Sequence, residues 1–238
     1  MKLSDFKALT FDVYGTLIDW ESGMVEGLKP LTTKVTHSLS RDDILEAHAC
    51  HESFQQNYTP SKRYQDLLPI VYRRLAEEWR VSVTWGECLA YGQSVGNWPA
   101  FADSAGALQY LKKHFKLVVL SNIDNDSFEH SNAKLQVEFD GIYTAEDVGS
   151  YKPANRNFDY MLEKLESIGL TKNQVLHTAE SMFHDHEPAN KYGLANCHIY
   201  RRHDSKGFGA TMTPDVMPKY DFRFNSMADL VLAHQKEG

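Results

Sequence analysis

Cysteine, basic charge and long apolar runs are all scarce in this sequence of 238 residues. The three cysteines (Cys50, Cys88 and Cys197) lie far apart and are odd in number, which argues against a disulfide framework and favours small buried thiols in a reducing compartment. Lys and Arg total 25 against 32 Asp and Glu, and the resulting net charge of −7 argues against a general binder of nucleic acid or anionic membranes. No stretch approaches the roughly 18 apolar residues of a membrane span. The charged start, Met1–Asp5, does not resemble a signal peptide, so we expect a cytoplasmic protein.

Glycine and proline are also modest in number, at 14 and 8 residues. With 12% aromatic and 42% hydrophobic residues, this composition excludes a disordered or collagen-like chain. The length is sufficient for one full hydrophobic core and a modest second unit.

Short apolar runs alternate with helical patterns over most of the chain. The first run, residues 7–12, ends in Asp12 and is followed at once by Gly15 and Thr16, which is typical of a buried parallel strand. Further strands are predicted at 115–120, 141–144, 174–177 and 196–200, with helices at about 104–114, 124–135, 155–168 and 186–192. This alternation predicts an α/β fold, a Rossmann-like parallel sheet flanked by helices.

Residues 18–98 interrupt that rhythm, because they carry helical patterns and no strand. The helices are predicted at about 22–36, 41–56, 62–79 and 85–95. We therefore expect an α/β core formed by residues 1–17 and 99–238, with a helical insertion at 18–98.

Polar and charged side chains follow four of the predicted strands. They are Asp12 after the first, Ser121 and Asn122 after the second, Lys152 after the third, and Glu180 through Asp185 after the fourth. Ligands of open parallel sheets bind beyond the carboxyl ends of the strands, so these residues are expected to converge on one site.

The same segments carry a resemblance to a known family. Phe11-Asp12-Val13-Tyr14-Gly15-Thr16-Leu17 resembles the first motif of the haloacid dehalogenase superfamily, Ser121-Asn122 the second, Lys152-Pro153 the third and Glu180–Asp185 the fourth. The resemblance implies that residues 18–98 form a cap domain. Tyr14 stands where the phosphatases of this superfamily have a second aspartate, and Asp-x-Tyr-Gly-Thr is similar to the 2-haloacid dehalogenase branch.

The resemblance implies a role for each motif residue. Asp12 would be the nucleophile that attacks carbon and forms an ester, which water then hydrolyses. Lys152 would hold and orient it, while Thr16 and Ser121 would donate hydrogen bonds and Asn122 would complete the cradle.

Two further sets of residues receive expected roles. Backbone N–H groups near Val13 and Tyr14 would hold the carboxylate of the substrate, and Trp20 and Phe158 are expected to contact that substrate. Trp20 would form an apolar lid with the cap aromatics Phe54, Tyr58 and Tyr64.

Three positions depart from the dehalogenase pattern. Residues 44–59 contain no Lys or Arg, although that branch has an arginine in the second cap helix. Phe158 stands where a tyrosine is usual, and Glu180 and Met182 replace serine and asparagine in the fourth motif.

The leading prediction is a hydrolase of a small 2-substituted carboxylic acid, similar to 2-haloacid dehalogenases and needing no cofactor. One alternative opens a strained cyclic imino acid such as azetidine-2-carboxylate by the same chemistry. A second is a Mg²⁺-dependent phosphatase in which Asp12, Glu180 and Asp185 bind the metal. In the metal-free interpretation Lys152 pairs with Asp185, and Glu180 orients the hydrolytic water. The third alternative is a non-catalytic, metabolite-binding member of the fold. A homodimer is left open.

Overall fold

The computed structural model describes residues 1–237 and contains one six-stranded parallel sheet in the order β3-β2-β1-β4-β5-β6. The strands are β1 (Ala8–Phe11), β2 (Lys116–Ser121), β3 (Gly141–Thr144), β4 (Val175–Ala179), β5 (Ala195–Ile199) and β6 (Phe222–Phe224). Strand order reverses between β1 and β4, and the crevice outside the carboxyl ends at such a reversal is the usual ligand site of these sheets. The predicted α/β fold class is confirmed.

Helices cover both faces of the sheet. The core helices are α5 (Ser104–Leu111), α6 (Asn125–Leu135), α7 (Ala145–Val148), α8 (Asn155–Ser167), α9 (Glu187–Tyr192) and α10 (Met227–Gln235), and a π-helical turn spans Met182–His186. One side of the sheet packs on α8 through the buried residues Phe158, Met161 and Leu165. These recur at the spacing of one helix face, which is why the sequence pattern predicted this helix.

Along the chain, four helices separate β1 from the later strands of the sheet. They are α1 (Trp20–Thr32), α2 (Arg41–Tyr58), α3 (Tyr64–Glu78) and α4 (Trp85–Gln93). Capping boxes at Ser40 and Thr84 fix the starts of α2 and α4, because each side chain accepts from the backbone N–H three residues on while the acid there accepts from the cap. These helices share one continuous buried cluster with a face of the sheet, through residues such as Leu28, Leu68 and Leu117.

Several elements differ from the sequence-based expectation. Strand β6 and helices α7 and α10 were not predicted, since β6 has only 3 residues and α7 only 4. Cys88 and Cys197 are free and buried as expected, but Cys50 is exposed, so that part of the prediction is wrong. Over residues 1–237, no helix is both long and apolar enough to cross a bilayer.

Candidate active site

Asp12 lies directly after β1, at the reversal of strand order. Its Oδ1 accepts a hydrogen bond from Lys152 Nζ at 2.9 Å, and its Oδ2 accepts one from Thr16 Oγ1 at 2.7 Å. Thr16 in turn accepts from the backbone N–H of Glu180 at 2.8 Å, so the hydroxyl is fixed as a donor toward Asp12. The side chain of Asp12 is 8% exposed. A carboxylate is thus held in one orientation at the floor of a buried site.

Lys152 is shared between two carboxylates. Besides Asp12, its ammonium donates to Asp185 Oδ1 at 2.7 Å and to the carbonyl of Leu120 at 3.0 Å. Asp185 Oδ1 also lies 2.9 Å from His177 Nε2, and His177 Nδ1 lies 2.8 Å from Thr10 Oγ1. This chain of contacts fixes the ammonium against Asp12.

Burial and charge act in opposite directions on these groups. Burial would lower the pKa of Lys152, but the charges of Asp12 and Asp185 outweigh it and hold that pKa above its usual value. Burial would raise the pKa of Asp185, yet Lys152 and His177 keep it well below the usual range. For Asp12, burial dominates and raises the pKa, with Lys152 opposing it. Lys152 is therefore a permanent cation, and Asp12 is the carboxylate whose charged form is the more costly.

Donors for an anionic ligand surround Asp12. Ser121 Oγ is buried and has no hydrogen-bond partner within residues 1–237. In the same part of the chain, the backbone N–H groups of Val13, Tyr14 and Asn122 donate to no other residue. The Asn122 side chain instead holds the loop of Lys152, accepting from its N–H at 2.6 Å and donating to its carbonyl at 3.0 Å. Asn122 therefore positions the lysine in addition to offering its N–H.

A small cavity of about 30 Å³ adjoins Asp12. Its core wall consists of Asp12, Tyr14, Ser121, Asn122, Lys152, Ser181 and His184. Its cap wall consists of Trp20, Glu52 and Tyr64. A wider cleft of about 300 Å³ lies between α2 and the loop of Lys152, and it shares Lys152 and His184 with this cavity.

Tyr14 and Trp20 line the cavity, but the Tyr14 hydroxyl points away from the nucleophile. It contacts Ser131 Oγ at 2.7 Å, and burial raises its pKa far above the usual value. The position where a phosphatase would carry its acid therefore holds a hydroxyl that is engaged elsewhere and does not ionise.

Four residues predicted at the site lie elsewhere. Phe158 is fully buried under the sheet, where its ring packs 5.4 Å from that of His177, and it does not line the cavity. Glu180 lines two neighbouring cavities but not this one, and burial raises the pKa of its carboxyl to about 8. Phe54 and Tyr58 are 57% and 73% exposed and stack on each other at the surface, so their predicted place in the lid is wrong.

The sequence reasoning missed two residues of the site, His177, which supports Asp185, and Glu52, which lines the cavity. Ser181 and His184 also line the cavity; they belong to the Glu180–Asp185 segment, but neither was given a role of its own. Glu52 had a usable signal, because polar residues at 48, 52 and 56 recur every four residues and mark one face of α2. His177 lies inside β4 and not beyond its carboxyl end, so the rule that ligands bind after the strand ends did not select it.

The carboxylates do not form one set of metal ligands. Asp185 Oδ1 is occupied by Lys152 and His177, and Glu180 borders other cavities. In the part of the chain that the structure describes, no group of three or more His, Cys, Asp or Glu side chains is arranged to hold a metal ion. The pairing of Lys152 with Asp185 is the arrangement expected in the metal-free interpretation.

Comparison with known proteins identifies the family of this chain. The model of the haloacid dehalogenase-like hydrolase family matches residues 6–178, and the chain therefore belongs to that family. An (S)-2-haloacid dehalogenase of Pseudomonas sp. (strain YL) is 26% identical over 200 residues, which cover 82% of this chain and 83% of that protein.

Solved structures share the fold at lower identity. The L-2-haloacid dehalogenase of Xanthobacter autotrophicus superposes with a TM-score of 0.74 at 17% identity, over 98% of this chain and 100% of its own. The HAD-hydrolase YfnB of Bacillus subtilis bound to magnesium superposes with a TM-score of 0.72 at 16% identity, over 97% and 99% of the two chains. Similar fold agreement with both means that the reaction must be argued from the site.

Proposed function

We propose that this hydrolase acts on a small 2-substituted carboxylic acid, with Asp12 attacking the carbon that bears the leaving group. The observation that carries the proposal is that Asp12 is held by Lys152, while the position two residues later is a tyrosine and not an acid. The hydroxyl of this tyrosine, Tyr14, lies 2.7 Å from Ser131 Oγ. Phosphoryl transfer from an ester needs an acid for the departing alkoxide, whereas a halide departs without a proton.

In the first step, one oxygen of Asp12 bonds to carbon and the leaving group departs with the bonding electrons, forming an aspartyl ester. Lys152 and Thr16 aim the attacking carboxylate, since each contacts one of its oxygens. The Ser121 hydroxyl and the N–H groups of Tyr14 and Asn122 bind the carboxylate of the substrate.

In the second step, water attacks the ester carbonyl, and the bond between that carbonyl carbon and the oxygen of the product breaks. One proton of the water goes to the alcohol that leaves, the other is released, and Asp12 is restored as a carboxylate. Glu180 does not border the cavity, so we assign the orientation of this water to His184, which does. Burial lowers the pKa of His184 to about 4, and its neutral ring can accept a hydrogen bond from water.

The reaction is tested on a panel of 2-chloropropionate, azetidine-2-carboxylate and p-nitrophenyl phosphate, each with Mg²⁺ and with EDTA. A single turnover in heavy-oxygen water then locates the ester, because water that attacks the aspartyl carbonyl leaves its oxygen in Asp12. Mass spectrometry of the peptide containing Asp12 measures that label, and the peptide containing Asp185 is the internal control.

Turnover that EDTA does not reduce, with the label in Asp12, is the expected result. Release of phosphate that requires Mg²⁺ would replace the proposal with the phosphatase alternative. Failure to convert any compound on the panel would favour a member of the family that only binds its ligand.

A further inference from the structure

Glu52 is a buried carboxylate on the inner face of α2, in the cap wall of the Asp12 cavity. Its side chain is 8% exposed and lines the cavity. Its Oε1 accepts from Gln56 Nε2 at 2.9 Å, and its Oε2 lies 3.3 Å from His48 Nδ1. No Lys or Arg nitrogen of residues 1–237 lies within 4.0 Å of it. Burying an ionised carboxylate without a cation is costly, so this placement requires an explanation.

The two ring nitrogens of His48 face Tyr91 and Glu52. Nε2 lies 2.8 Å from the hydroxyl of Tyr91. Nδ1 lies 3.3 Å from Glu52 Oε2 and forms no hydrogen bond with any described residue. Glu52 thus accepts a hydrogen bond from the neutral amide of Gln56 and has no Lys or Arg partner within residues 1–237. Its charge adds to burial in raising the pKa of Tyr64 on the same cavity wall.

The lysine of the cavity does not reach Glu52. Lys152 contacts Asp12 and Asp185, and Glu52 has no Lys or Arg partner within residues 1–237. A substrate that brings only its own carboxylate would add a further acidic group to the cavity. A substrate that also carries an ammonium group places a positive charge where the described residues supply no Lys or Arg.

We propose that Glu52 binds an ammonium group of the substrate, so that the substrate is a small zwitterion. Its carboxylate lies against Ser121 and the N–H groups of the core wall, and its amine lies against Glu52. The rings of Trp20 and Tyr64 border the same cavity and favour a cation over their faces. The inference rests on the proposed function and selects a carbon–nitrogen bond, rather than a carbon–halogen bond, as the one that Asp12 breaks.

The chemistry balances for a strained cyclic ammonium. Asp12 Oδ bonds to the ring carbon next to nitrogen, and the carbon–nitrogen bond breaks with its electron pair left on nitrogen. Because the nitrogen already carries its protons, it departs as a neutral amine and needs no general acid. Water then hydrolyses the ester, its oxygen goes to the Asp12 carboxyl, and the proton released goes to the amine.

The test compares azetidine-2-carboxylate with 2-chloropropionate in the wild type and in Glu52→Gln. The substitution keeps the shape and removes the charge. We expect the ratio of kcat/KM for the two substrates to fall by about 10- to 100-fold, as for loss of a charged hydrogen-bond partner. The matched control is Glu46→Gln, an exposed residue of the same helix, which should leave that ratio unchanged.

A second measurement uses the wild type alone and does not depend on the folding of a variant. Proline and cyclopentanecarboxylate have nearly the same shape, but only proline carries an ammonium. We expect proline to inhibit at a concentration at least about tenfold lower. Equal inhibition by the two, or an unchanged substrate ratio in Glu52→Gln, overturns the role of Glu52 while turnover through Asp12 still supports the proposed function. If the wild type converts no substrate of the panel, both the role of Glu52 and the proposed function are overturned.

Discussion

The two walls of the cavity at Asp12 differ in the partners that they give to a buried carboxylate. In the core wall the two buried carboxylates share one ammonium, at 2.9 and 2.7 Å. Asp12 directly follows β1, Lys152 lies in the loop after α7, and Asp185 lies in the π-helical turn after β4. In the cap wall the buried Glu52 accepts a hydrogen bond from the Gln56 amide of its own helix and has no Lys or Arg partner within residues 1–237. The core wall therefore contains the groups for covalent chemistry, and the cap wall contains the group that would distinguish one substrate from another.

The largest effect should come from the core wall. Replacing Asp12 with Asn removes the nucleophile, and we expect kcat to fall by about 10³-fold or more without loss of the fold. Steady-state turnover and circular dichroism measure the two properties. Asp215→Asn, in an exposed loop, is the control and should keep full activity. Substantial turnover by the Asp12 variant would mean that another group forms the ester.

Lys152→Met should have the next largest effect, and it acts on stability as well as on turnover. Two buried carboxylates would lose their common cation, which we expect to cost about 3–5 kcal/mol in the free energy of unfolding. Urea denaturation measures this cost, with the exposed Lys236→Met as the control. A loss below about 1 kcal/mol would show that the core wall does not depend on charge balance.

The pH dependence of kcat/KM should show that burial disfavours the ionised form of Asp12. Burial raises the pKa of this carboxyl above 3.8, and only the ionised form attacks, so kcat/KM should fall as pH drops through that raised pKa. Thr16→Val removes a donor to the charged form and should move this acid limb to still higher pH. Rate profiles between about pH 3 and 8 test both statements. An acid limb at or below 3.8 would contradict the first, and a downward shift in the variant would contradict the second.

The smallest effect should come from the outer face of the cap. Phe54 and Tyr58 are largely exposed, so the double substitution Phe54→Ala and Tyr58→Ala should change unfolding free energy by about 0.5 kcal/mol or less. It should leave kcat/KM within about twofold of the wild type. A large loss of activity would show that this face takes part in closing the site.

The core wall was the part that the sequence could predict. Parallel strands bring their carboxyl ends together, so Asp12, Ser121 and Lys152 could be grouped once their strands were recognised. Glu180 was misplaced because it directly follows β4 and borders the two neighbouring cavities instead of the one at Asp12, whereas the π-helical turn at Met182–His186 brings Asp185 to Lys152. No strand pattern predicts that local geometry.

The cap wall was harder to predict for a different reason. A helix places three or four residues per two turns on one face, but which face meets the sheet depends on how the whole bundle packs. Phe54 and Glu52 lie two positions apart on α2, and one is exposed while the other is buried at the site. We expected aromatic residues to form the lid over the site, and this expectation selected Phe54 instead of Glu52.

Asp12 and Lys152 are 140 residues apart in the chain, and the whole cap is threaded between β1 and β2. Contacts between such distant segments carry the largest loop-closure cost and are slow to form during folding. The cap helices, by contrast, consist of local contacts that can form before the sheet is complete. Recovery of catalytic activity after dilution from denaturant is therefore a reporter of complete assembly, whereas recovery of helical signal is not.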